Sequence, residues 1–170
     1  IKMKKTIIIF LTLICFVSWV FAASNYTWEY SSVDWWEVRW DGSTTYSTQL
    51  SNAINTWNNY WHTDFKPDNA LTFEDLTIMD INSSSSPYYW KYSYYGSMFA
   101  SDELKINTAS NWMWKLNSKQ KENVIAHELG HSLWLDHSYA WNIMLWDWTI
   151  EERTTLWSQD KSSYNTKWPN

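Results

Sequence analysis

His127-Glu128-Leu129-Gly130-His131-Ser132-Leu133-Trp134-Leu135-Asp136-His137 is the stretch that organises the rest of the chain. Two histidines stand four residues apart, and a third follows six residues later. On an α-helix, residues four apart lie about 40° apart around the axis, one turn up. His127 and His131 can therefore aim two imidazoles at one ion from a single rigid helix. Glu128 lies beside them, where a carboxylate can take a proton from a metal-bound water. His137 is out of reach if the helix runs on, so the chain must turn back after Leu133 to bring it to the same ion. Three neutral nitrogen ligands with a fourth position open to water are the arrangement of a catalytic zinc rather than a structural one.

H-E-x-x-H-x-x-G-x-x-H followed by a methionine turn marks the metzincin metallopeptidases. This chain resembles that family, and within it the small bacterial matrixin-like peptidases. Val124-Ile125-Ala126 leading into His127, and the downstream Asn142-Ile143-Met144, carry the likeness. It is dense from Leu104 to Leu156 and only architectural before that. The resemblance implies an α+β zincin fold: a twisted mixed sheet and two long helices above a cleft, a methionine turn, and a last helix below. It implies a zinc endopeptidase acting on protein or peptide substrates, with His127, His131 and His137 holding the metal, Glu128 as general base and Met144 beneath the ion. An edge strand near Ser97 to Ala100 would then bind an extended peptide by β-augmentation. One position departs: Trp134 stands where the family has its second glycine.

Composition sets the frame. The chain has 170 residues, enough for one core. Lys2-Met3-Lys4-Lys5, an apolar run from Thr6 to Phe21 and the small residues Ala22-Ala23-Ser24 describe a secretory signal peptide over residues 1–23, cut after Ala22 or Ala23. Met3 is the expected start. An uncleaved anchor is the alternative, since the run is near the lower limit for a membrane span. Residues 24–170 are then one secreted, monomeric catalytic domain with no lasting membrane partner. The only cysteine, Cys15, lies in the leader, so the mature chain has neither disulfides nor a cysteine to hold a zymogen shut. Without the leader, ten basic residues face eighteen acidic ones, a net charge of −8 that disfavours nucleic acid and anionic membranes as partners. The acidity is compatible with calcium, for which Asp80, Asp102 and Glu103 are the candidates.

Taken in order, Val38-Arg39-Trp40 suggests a short strand before an Asp41-Gly42-Ser43 turn. Leu50, Ala53, Ile54, Trp57 and Trp61 recur at helical spacing over Tyr46 to Trp61. His62 reads as a helix-end or surface residue, with a metal role as the lesser alternative, and Lys66-Pro67-Asp68-Asn69 as a turn. Strands are expected over Leu71 to Met79, Tyr88 to Tyr95 and Leu104 to Asn107, with a loop at Ser83 to Pro87. Asn117 or Ser118 caps the central helix. Within it Ile125, Leu129 and Leu133 form an apolar stripe, and His127 and His131 lie off it, facing a cleft. Thr149-Ile150-Glu151-Glu152 has the pattern of a capping box opening a last helix to about Leu156. Asp136 and Asp147 read as structural or solvated.

Tryptophan usage is anomalous. The chain has sixteen tryptophans and three glycines, where ordinary usage of about 7% predicts about twelve glycines. Trp134 falls where the chain must reverse, a place for positive φ that costs a residue with a Cβ about 1–2 kcal/mol. Trp141, Trp146, Trp36 and Trp28 also stand at turn-like positions, whereas Trp57 sits on an apolar helix face. A gene in which UGA means glycine, translated under a code where it means tryptophan, would show this signature. If Trp134 is genuine, a second class of function comes forward: a catalytically impaired module on the same scaffold that binds peptide or carbohydrate through exposed aromatics. Intact Glu128 favours the enzyme.

Overall fold

The computed structural model describes residues 32–33, 36–60, 62–69, 71–96, 100–109, 113–139, 141–145 and 150–169. The leader at 1–23, Trp28, Trp61, Ser97 to Phe99, and Trp146 to Thr149 with Asp147 lie outside them. The fold is α+β: β1 (Glu37–Ser43), α1 (Ser47–Asn58), β2 (Asp64–Pro67), β3 (Leu76–Ile81), β4 (Trp90–Ser93), β5 (Asp102–Asn107), a 3-10 turn (Met113–Lys115), α2 (Ser118–Ser132) and α3 (Ser158–Lys167). The strands form one mixed sheet in the order β2-β1-β3-β5-β4. Four strands are parallel, and β4 closes the edge antiparallel to β5, with Tyr92 opposite Leu104.

A parallel sheet needs cover for its apolar face, and α1 and α2 supply it. Leu50, Ala53, Ile54 and Trp57 of α1 are buried, as the spacing predicts. Ile125, Leu129 and Leu133 meet Ile78, Leu104 and Ile106 in the same core, each at most 1% exposed. Trp57 ties the two helices, its indole N–H donating to the Ala126 carbonyl at 2.9 Å. Asn117 is the cap of α2: its side chain accepts from the Gln120 N–H, and the Gln120 side chain accepts from the Asn117 N–H, both at 3.0 Å.

Four sequence expectations are corrected. Asp41-Gly42-Ser43 is not a turn but the end of β1, paired with Thr77, Ile78 and Met79. Gly42 is needed there because the strands come close: at φ +107, a Cβ would lie 2.0 Å from the Ile78 carbonyl oxygen. Lys66 and Pro67 belong to β2, an edge strand, where proline is tolerated for want of a partner to its missing N–H. Leu71 and Phe73 are 96% and 91% exposed, and β3 starts only at Leu76. A turn built by Asn69, whose side chain accepts from the Leu71 N–H and whose carbonyl accepts from the Thr72 N–H, occupies that stretch instead. Finally, residues 150–157 are not helical and the last helix begins at Ser158. The polar groups there serve α2: Glu152 accepts from the Asn117 side chain, and the carbonyls of Ile150 and Arg153 accept from Gln120 and Asn123.

Candidate metal centre

The last turn of α2 decides the site. Leu133 ends the helix, and the chain reverses through Trp134 at φ +73. The Trp134 N–H bonds the His131 carbonyl at 2.9 Å and the Leu135 N–H reaches back to the Gly130 carbonyl at 3.1 Å. This pair of bonds is the Schellman closure, whose left-handed residue is usually glycine. Leu135 then plunges into the core, fully buried, and His137 comes round to the helix.

The result is a triangle of imidazoles. Ring centroids of His127, His131 and His137 are 4.8 to 5.1 Å apart. One nitrogen from each can be chosen so that all three lie within 4.8 Å of one another. Two rings are aimed by backbone oxygens: Nδ1 of His127 is 2.8 Å from the Ile143 carbonyl, and Nδ1 of His131 is 2.8 Å from the Leu135 carbonyl. A proton on each Nδ1 leaves both Nε2 atoms free to bind an ion, since a carbonyl accepting from the far ring nitrogen fixes the tautomer and the ring's orientation. This cluster can hold a metal ion. Among the described residues it is the only such grouping of three.

The turn at Asn142 to Met144 is held from the side of α3. Buried Asp160 of α3 accepts the N–H groups of Ile143 at 2.8 Å and Met144 at 3.1 Å. In return the Asn142 side-chain oxygen accepts from the Gln159 and Asp160 N–H groups at the start of α3. Because Ile143 is the residue whose carbonyl aims His127, this clasp also fixes the orientation of that imidazole. Met144 lies against Gly130, the residue before His131: a Cβ there would sit 2.2 Å from its sulfur. Gly130 costs about 1 kcal/mol of helix propensity, and the methionine fills the room it leaves.

Glu128 is buried beside the triangle and accepts the backbone N–H of Tyr92 at 2.7 Å. The Trp90 indole also bonds it, yet burial outweighs both donors and lifts its carboxyl to about 7. Burial acts on the histidines the other way. It holds His131 down at about 4, and lowers His127 and His137, each helped by a neighbouring imidazole or resisted by Asp136. All three are neutral near pH 7, the form that binds metal. The site opens into a cleft of about 330 Å³ lined by Tyr88, Trp90, Tyr92, Glu128 and the three histidines.

These shifts fix the sign of a pH effect in metal-free protein. Below the ordinary histidine value of 6.5, the unfolded chain takes up protons that the folded triad resists, so stability is lost as pH falls toward about 4. Glu128 works oppositely, holding extra protons when folded between 4.5 and about 7. Asp160, raised by burial as well, works with Glu128, so three histidines oppose two carboxylates. In excess chelator the thermal midpoint is expected to fall as pH drops from 6.5 to 4.5, more steeply than in His131→Ala, by about 1.4 kcal/mol per pH unit for each net proton. A slope that His131→Ala leaves unchanged would contradict this.

Other sequence candidates stand elsewhere. Asp80 is engaged by Thr44 and Thr45, Asp102 by Ser32, Tyr92 and Tyr95, and Glu103 by Lys105 and Tyr95. Asp80 and Asp102 pair toward opposite ends of the β3–β5 ladder, so the structure does not gather these three into one cation site. His62, at φ +87 after α1, is not part of the triangle. Asp136 is a solvated neighbour of His137, its side chain 53% exposed. Sequence reasoning missed Asp160 and the Asn142 clasp because the last helix was expected eight residues too early. It missed Trp90 and Tyr92 because no local pattern announces which strand faces Glu128.

No protein-family model matches this chain, and no curated protein matches it. The functional reading rests on the geometry.

Proposed function

We propose that this protein is a secreted zinc-dependent endopeptidase of the metzincin type. The observation that carries the reading is the triangle of neutral imidazoles, two of them aimed by backbone carbonyls, with a buried carboxylate beside it. Three histidines suit zinc, and the missing fourth ligand leaves room for chemistry. A zinc ion held by His127, His131 and His137 would supply Lewis acidity, polarising the scissile carbonyl and making water a competent nucleophile near neutral pH.

The chain's own residues do the rest. Glu128 takes a proton from the attacking water and passes it to the leaving amine nitrogen, so that the carboxylate is regenerated as the C–N bond breaks. A carboxyl poised near 7 suits both halves of that transfer. The Tyr92 N–H and Trp90 indole keep the carboxylate turned to the cleft. An extended substrate would lie along the outer edge of β4, the sheet's edge strand whose Tyr92 N–H meets Glu128 of α2.

The binding-module reading draws on one observation, the exposed stacked pair Trp141 and Trp157, 6.0 Å apart with Arg153 over both. The held position of Glu128 favours catalysis. Cleavage of an unstructured protein such as casein separates them, using this chain and its Trp134→Gly, Trp141→Gly form. Zinc-loaded protein is expected to cut, to stop in chelator and to recover when zinc is returned. Folded, zinc-bound protein that leaves casein intact in both forms would sink the peptidase reading.

A further inference from the structure

We propose that positions 36, 134 and 141 are glycines in the protein its own cell makes, decoded from UGA, whereas position 57 is a true tryptophan. Composition raises the question for all sixteen tryptophans; the backbone sorts them. Among the described residues, four that are not glycine have positive φ: His62 and the tryptophans at 36 (φ 71), 134 (φ 73) and 141 (φ 77). Only nine described residues are tryptophan, so chance does not place three of them there. A Cβ in this left-handed region meets the following carbonyl, a clash that glycine lacks. The genuine glycines Gly42 and Gly96 hold the same sign of φ.

Local structure agrees at each position. Trp134 occupies the left-handed position of the Schellman closure that returns His137 to the helix. Its indole N–H is buried without a hydrogen-bond partner, and the Lys167 ammonium nitrogen is 2.6 Å from its ring centroid. Trp36 and Trp141 turn their indoles outward, 51% and 61% exposed. Trp141 immediately precedes the methionine turn, where the chain reverses toward Met144.

Trp57 shows what a built-in tryptophan looks like in the same molecule. It is fully buried inside α1, its N–H bonds the Ala126 carbonyl at 2.9 Å, and its ring stacks on Tyr164 at 6.1 Å. Glycine there would empty the space between two helices. With glycine at 134, the metal-site stretch becomes H-E-L-G-H-S-L-G-L-D-H, and the reversal that delivers the third histidine carries no left-handed strain.

The test is the residue mass at each position in protein purified from the cell that carries the gene. Trypsin releases 122–153 as one peptide, which holds both 134 and 141. Fragmentation is expected to show glycine at both, glycine at 36 in the peptide ending at Arg39, and tryptophan at 57. Tryptophan at 134 or 141, or glycine at 57, overturns the proposal. Recombinant protein gives an independent reading. Trp134→Gly is expected to raise the folding equilibrium constant by roughly five-fold or more, and Trp57→Gly to lower it. A lower constant for both Trp134→Gly and Trp141→Gly would also overturn it.

Discussion

Glu128→Gln is expected to lower kcat/KM for peptide hydrolysis by about 10²–10⁴-fold, the range a positioned general base contributes, while zinc content stays at one equivalent. Glutamine preserves the shape and the oxygen that accepts the Tyr92 N–H. It has no basicity to take the proton of the attacking water. The metal ligands should be indifferent to the change, because His127 and His131 are aimed by Ile143 and Leu135 rather than by Glu128. Activity assays beside metal analysis of the same preparation check this. A variant with near-normal turnover would show that another group moves the proton. One that loses zinc as well would show that Glu128 holds the site together.

The second large effect is thermodynamic. His131→Ala is expected to abolish high-affinity zinc binding and with it the zinc-induced rise in thermal midpoint. An ion that binds only the folded state stabilises by RT ln(1 + [L]/Kd), about 4 kcal/mol at a thousand times Kd. Two remaining imidazoles cannot reproduce that affinity. His131 lies off the Ile125, Leu129 and Leu133 stripe but bonds the Leu135 carbonyl, so metal-free stability at neutral pH should fall by about 1 kcal/mol, the worth of that bond. Leu129→Ala supplies the contrast, costing about 2–5 kcal/mol through the cavity it leaves, with or without metal. Equal zinc-induced shifts in wild type and His131→Ala would place the ion elsewhere.

What the sequence revealed depended on how local the cause was. The helix bearing His127 and His131, its Asn117 cap and its leucine stripe are set by spacings within fifteen residues, and the structure has them where periodicity puts them. The return of His137 was legible because an imidazole six residues past His131 can join the other two only if the helix ends first, as it does at Leu133. Gly42 and Pro67 misled because their roles depend on neighbours distant in sequence: the Ile78 carbonyl in one case, an unpaired sheet edge in the other. The Thr149 to Glu152 signature opens no helix: Ile150 and Glu152 instead flank α2, where Glu152 meets Asn117 and Ile150 meets Gln120. Asp160 was invisible for the same reason. Its value comes from the N–H groups of Ile143 and Met144, brought beneath the site only by the folded chain.

X-ray absorption at the zinc edge, on protein reconstituted with one equivalent, tests the central claim most directly. The predicted spectrum is a four-coordinate ion with three imidazole nitrogens and one exchangeable oxygen, all at about 2.0–2.1 Å. Six oxygen ligands, or four imidazoles with no open position, would contradict a catalytic zinc on His127, His131 and His137.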